Sequence, residues 1–191
     1  MELGLVLFIL LGFGLATFVA IAVGVYNALV TVKENVLKAW ANIDVILKQR
    51  YDEIPQLIEI CEQYVEYEAD MIKKIMAARE NMVRGKSVEA KAQASQELTE
   101  MVGGLLAIGE NYPNLKANEH FLQIQKRLSD LEESLADRRE FYNDSVNIYN
   151  IRIQQIPDVI FARMLGYERK EMFEVHEPEK ARPSLKMKKT V

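Results

Sequence analysis

Thirty consecutive residues, Leu3 to Val32, carry no charged side chain, and this stretch limits what the chain can become. Its apolar heart, Leu3–Val25, reads LGLVLFILLGFGLATFVAIAVGV. A helix rising about 1.5 Å per residue would make it roughly 35 Å long, enough to cross a hydrocarbon core of about 30 Å with some tilt. One helix satisfies its own backbone hydrogen bonds, so it is the single-segment solution in lipid. A cleaved secretory signal fits less well. Such a signal has a basic n-region and an apolar core of about 7–15 residues, whereas Met1-Glu2 offers no Lys or Arg and the run here is longer. Ala20-Ile21-Ala22 meets the small-x-small rule only from inside the run. The expected organisation is a transmembrane anchor at 1–30, a helical domain at 31–166 and a flexible tail at 167–191.

Lysine and arginine flanking an anchor favour the cytoplasmic side. None precedes the apolar run, and Lys33, Lys38, Lys48 and Arg50 follow it. The short N-terminus is therefore expected outside and the domain in the cytoplasm, at the cell membrane.

Beyond the anchor the apolar pattern is helical. Trp40, Ile43, Leu47, Arg50, Ile54, Leu57, Cys61, Tyr64, Glu68, Met71 and Ile75 recur in steps of three and four, the spacing of one helix face. Pro55 interrupts the sequence but not the phase, which leaves a kinked long helix or a new helix capped by Asp52. Arg84-Gly85-Lys86-Ser87 reads as a turn, with Gly85 suited to a left-handed cap and Ser87 to an N-cap. A helix from Val88 to Gly109 follows, whose Gly103-Gly104 pair suggests close backbone packing. After the turn Asn111–Asn114, the best-patterned helix carries Phe121, Ile124, Leu128, Leu131, Leu135, Tyr142, Val146, Tyr149, Ile153 and Ile156, and is stopped or kinked at Pro157. A short segment from Asp158 to Leu165 ends at Gly166. The expected fold is all-α: a transmembrane helix followed by an antiparallel up-and-down four-helix bundle, with long helices kinked or broken at Pro55.

Three sets of residues resemble the LemA family. The first is Tyr26-Asn27-x-Leu29-Val30, then Val36-x-x-Ala39-Trp40-x-x-Ile43-Asp44-Val45-x-Leu47-Lys48-x-Arg50 and Ile54-Pro55-x-Leu57. The second is Tyr112-Pro113-x-Leu115-Lys116-Ala117-Asn118-x-x-Phe121. The third is Arg139-x-x-Tyr142-Asn143-x-x-Val146-x-x-Tyr149-Asn150-x-x-Ile153, then Ile156-Pro157. Lys33 and Gln49 stand where the family pattern has arginine, and Ile156 where it has phenylalanine. The resemblance implies a single-pass membrane protein with a short outward N-terminus, a cytoplasmic helical bundle and no established activity. It also brings two associations, with a membrane zinc protease and with the shaping of an internal membrane.

The residues themselves carry little chemistry. The formal charge of −4 argues against a general nucleic-acid partner. The single cysteine, Cys61, lies on an apolar stripe and reads as a small buried hydrophobe. His120 and His176 form no metal-ligand pairing, Glu59, Glu62 and Glu66 read as a solvated face, and no phosphate loop or nucleophile elbow occurs. No catalytic residue, cofactor, metal or small-molecule substrate is expected. More informative are polar residues on apolar stripes. Arg50 and Glu68 share the first seam with Trp40, which is expected inside the bundle facing Tyr142 and Tyr149. Tyr142-Asn143 and Tyr149-Asn150 repeat a heptad apart, where buried amides can fix helix register. In the anchor, Gly12, Ala16, Ala20, Gly24 and Ala28 form a small-xxx-small stripe that suggests self-association. The reading is a non-enzymatic, membrane-anchored scaffold or interaction protein, with a regulator of a membrane protease or of membrane shaping as the alternative.

Overall fold

The computed structural model describes residues 2–64 and 69–174. Among these the chain forms six helices and no strand: α1 (Glu2–Glu62), α2 (Ala69–Arg84), α3 (Val88–Gly109), α4 (Pro113–Lys116), α5 (Glu119–Arg152) and α6 (Asp158–Met164). The all-α expectation holds.

α1 is one helix of 61 residues, about 90 Å at the ordinary rise. It has two unlike halves. Residues 2–21 are exposed throughout, and it is the one helix among the described residues long and apolar enough to cross a membrane. From Val25 onward a single stripe, including Leu29, Val36, Ile43, Leu47, Ile54 and Cys61, is buried. That stripe follows the three-and-four spacing of a face that packs on neighbouring helices.

Pro55 sits inside α1 and does not end it. Its missing N–H frees the Tyr51 carbonyl, four residues earlier, which in an ordinary helix would be left without a donor. Arg79 of α2 replaces that donor: its Nε donates to the Tyr51 carbonyl at 2.7 Å. The guanidinium also covers the Tyr51 ring at 3.4 Å from its centre, and the Tyr51 hydroxyl donates to Glu80 at 3.0 Å. A neighbouring helix has supplied the hydrogen bond that proline removes.

Side-chain pairs give the helix directions. Glu80 and Arg79 meet Tyr51, so α2 returns along the upper part of α1. Lys91 pairs with Asp44, and Ser95 and Thr99 meet Arg50, so α3 runs with α1. Asn118 meets Tyr64, Glu132 meets Arg50 and Tyr142 meets Trp40, so α5 runs antiparallel to α1 over most of its length. α6 then packs against α1.

The turns are partly as expected. Ser87 caps α3, accepting from the Ala90 N–H at 3.0 Å, and the Asn118 side chain caps α5 through the His120 and Phe121 N–H groups. Gly85 does not adopt a left-handed conformation. It is small because a Cβ there would lie 3.0 Å from Lys91 Cγ and 3.2 Å from the Lys91 nitrogen. The left-handed position is Gly166, with φ at 67°. Gly103 and Gly104 are not sites of close packing either: a Cβ on Gly103 would meet nothing within 4 Å and one on Gly104 only the Met71 methyl at 3.7 Å.

Residues 167–174, expected in a flexible tail, run as an extended strap along α5. Phe173 is among the most buried side chains of the molecule. A strap held by its backbone needs no apolar period, and so none marks it in the sequence.

Candidate functional site

Two polar constellations are built into the packed half of the molecule. The first centres on Arg50, 3% exposed. Position 50 falls on the stripe of α1 that faces both α3 and α5, so its side chain has no route to water. One guanidinium nitrogen donates to Ser95 Oγ at 3.2 Å, and the other donates to Thr99 Oγ1 at 2.9 Å and pairs with Glu132 at 3.1 Å. Thr99 in turn donates to Glu132 at 3.0 Å. Arg50 Nε has no partner among the described residues. Burial pushes the guanidinium below its ordinary pKa, with Glu132 opposing and Arg139 reinforcing that shift. Arginine stays charged through such shifts, so the group is a fixed cation joining three helices. Glu68, expected on the same seam, lies outside the described residues.

The second constellation joins α5 to the strap. Asn150 accepts from the Lys170 N–H at 2.8 Å and donates to the Lys170 carbonyl at 2.9 Å. Asn143 does the same to Phe173, at 2.8 and 3.4 Å. Each amide thus occupies both main-chain groups of one strap residue, as a neighbouring β-strand would. Tyr149 and Tyr142 donate to the carbonyls of Glu168 and Glu171, each at 3.0 Å. Seven residues of helix advance about 10.5 Å and three of extended chain about 10 Å, so the two periods match. The Tyr-Asn repeat is therefore a clamp for extended backbone. The asparagines fix the strap's register and not that of a neighbouring helix.

Aromatic groups close the clamp. Trp40 lies 5.5 Å from Tyr142 and 6.2 Å from Phe173 between ring centres. Arg139 stands over the Phe173 ring, and Lys33 over Tyr167, which stacks on Tyr149. Trp40 does face the helix carrying Tyr142 and Tyr149, but it is half-buried and not inside the core. Lys91 covers its outer face. Burial, helped by Glu171, pushes the Tyr142 phenol up to about 12. Burial also raises Tyr149, with Tyr167 and Glu168 adding to it. Both phenols therefore remain neutral donors near neutral pH.

The other singled-out residues stand apart from these constellations. Cys61 is fully buried and its thiol is pushed up to about 11 by burial, far from a reactive thiolate. His120 is exposed in the first turn of α5. Gly12, Ala16, Ala20 and Gly24 lie on the exposed half of α1, and Cβ atoms on Gly12 or Gly24 would meet nothing within 4 Å. Arg79, Ser95, Thr99, Glu132 and Phe173 were not singled out by sequence. For Phe173 the available signal was an aromatic at an apparently structureless position; for Arg79 it was the carbonyl that Pro55 must strand.

Fold and site together define a helical domain drawn out on one long apolar helix, with buried polar clasps holding its elements in register. The chain belongs to the LemA family, whose sequence pattern matches residues 39–187. It is similar to the magnetosome protein MamQ of Magnetospirillum gryphiswaldense, with 23% identity over 185 residues, covering 83% of this chain and 68% of that protein. It is also similar to magnetosome protein MamQ 2 of Paramagnetospirillum magneticum, with 33% identity over 73 residues. That match covers 38% of this chain and 27% of the relative.

Proposed function

We propose that this protein is a non-enzymatic, single-pass membrane scaffold that holds a stiff helical domain at the cytoplasmic face of a membrane. One observation carries the reading: α1 runs unbroken from a segment that is exposed among the described residues into the central helix of the packed domain. A helix that is apolar on all sides and unpacked belongs in lipid. Its continuity would transmit the orientation of the anchor to the whole domain, which suits a scaffold better than a tethered enzyme. The alternating directions of α1, α2, α3 and α5 support an antiparallel up-and-down four-helix bundle as the domain's architecture. The Lys and Arg that follow the apolar run favour the cytoplasmic orientation.

The exposed small-residue stripe supports self-association, in which Ala16 and Ala20 would allow two anchors to approach closely. The likeness to proteins named for the magnetosome favours a second reading, a role in membrane shaping. Chemical crosslinking in intact membranes, followed by detergent solubilisation and tagged pull-down, tests the scaffold reading. A discrete crosslinked species of higher mass is expected, lost on Ala16→Ile with Ala20→Ile if the partner is a second copy. Recovery of the monomer alone at every crosslinker concentration would contradict it.

A further inference from the structure

We infer that the turn at Ile156 and helix α6 form a second, shallow membrane contact that seats the domain on the lipid surface; this rests on reading α1 as an anchor. The helix register places the patch. Glu132 faces Arg50 and Tyr142 faces Trp40, so ten residues along α5 match ten residues back along α1. Carried on to Arg152, the last residue of α5, that register reaches Val30 of α1, and the turn that holds Ile156 follows there, close to where α1 first becomes packed. α6 packs against α1, and its Ala162 is buried and its Phe161 half-buried. Among the described residues large apolar side chains stand exposed on α6 and the turn before it: Ile156 is 86% exposed, Met164 79% and Ile160 58%. Leu165 and Tyr26 are exposed beside them.

Large apolar side chains this exposed at the water-facing end of a domain would be a liability. At this end they meet something else. The hydrocarbon core takes about 20 residues of helix, so its boundary falls just before Val25, where tyrosine and a shallow apolar face are at home. The one acid of α6, Asp158, is buried and paired with Arg152 at 2.7 Å, while Arg163 is exposed, with a stem long enough to reach headgroups. Continuity with the anchor names the occupant as lipid and not another protein. The patch would stop the domain from tilting freely about its anchor.

Depth measurement on the full chain tests this. Single Met164→Cys, Ile160→Cys, Arg138→Cys and Ala16→Cys variants are labelled with a small fluorophore and reconstituted into phosphatidylcholine–phosphatidylglycerol vesicles, with or without brominated acyl chains. The buried Cys61 stays unlabelled. Labels at 164 and 160 are expected to lose roughly half their emission in brominated lipid, as a face inserted about 5–10 Å would. The label at 138 should lose none and that at 16 the most. Quenching at 16 with none at 160 and 164 would overturn the seat while leaving the anchor standing. No quenching at 16 would overturn both. Labels at 160 and 164 that neither brominated lipid nor aqueous iodide can quench would mean that a protein covers the patch, and would also overturn the inference.

Discussion

The two halves of α1 share one backbone geometry and almost nothing else. From Leu3 to Ile21 its side chains are uncharged in every direction and exposed among the described residues; from Val25 a single stripe is buried, and charged side chains occupy the opposite face beyond Val32. The same fractional exposure therefore means different things along one helix. Leu10 is 63% exposed and Leu37 46%, yet the first sits within an unbroken apolar run and the second between Val36 and Lys38. The pattern around a residue, more than its exposure, tells which solvent it meets.

The comparison breaks most visibly if both positions receive the same charge. Leu10→Arg should cost about 3–4 kcal/mol of membrane insertion, whereas Leu37→Arg should change domain stability by no more than about 0.5 kcal/mol. Partition into vesicles and thermal melts of the two variants would measure this. Equal effects in both assays would erase the distinction between the halves.

Within the packed half, the Arg50 seam gives the next largest effect. Glu132→Ala strands a buried cation and should cost about 2–4 kcal/mol, below the fully buried case because Glu132 is itself 40% exposed. Arg50→Met should cost less than half as much, since Glu132 can then turn to water. Urea melts of both variants decide it, and the reverse order would mean that the arginine's packing outweighs its charge. At Pro55 the expected effect is smaller. Arg79→Met leaves the Tyr51 carbonyl without a donor and should cost about 1–3 kcal/mol by the same melts. Placing Pro55→Ala in that background should recover part of the loss by restoring the intrahelical bond. No recovery would show that Arg79 acts through its ring contact alone.

The clamp gives the smallest effect. Asn150→Ala removes two hydrogen bonds and should cost about 1–2 kcal/mol, with faster amide exchange at Lys170. It also has a pH signature. Tyr142 titrates near 12 in the folded chain, above the usual value of about 10 for a free phenol. A raised pKa stabilises the fold below pH about 10 and is lost as pH climbs through about 12. Protection of the strap should fall in that window, and Tyr142→Phe should flatten the decline.

Much of this was legible in the sequence, for identifiable reasons. The charge-free run and the three-and-four spacing from Trp40 to Cys61 report directly which faces can be buried, so the long apolar helix and the packed helices could be read. Pro55 could not be resolved, because the answer lies in Arg79, a residue brought to it by folding. The Tyr-Asn repeat was visible as a repeat, but its partner was not. Asparagine pairs with main chain of any sequence, so apart from the aromatic Phe173 nothing in residues 168–173 announces what holds them. Gly85 looked like a left-handed cap because glycine serves both conformation and close approach, and sequence alone does not separate the two.

In the proposed reading residues 2–24 are a lipid anchor and the packed domain begins at Val25. Alkaline carbonate extraction tests it most directly, comparing the full chain with one beginning at Gly24. The full chain should stay with the membrane pellet, while the shortened chain should appear in the supernatant with an undiminished helical circular-dichroism signal per residue over the retained part. Release of the full chain by carbonate would contradict the account.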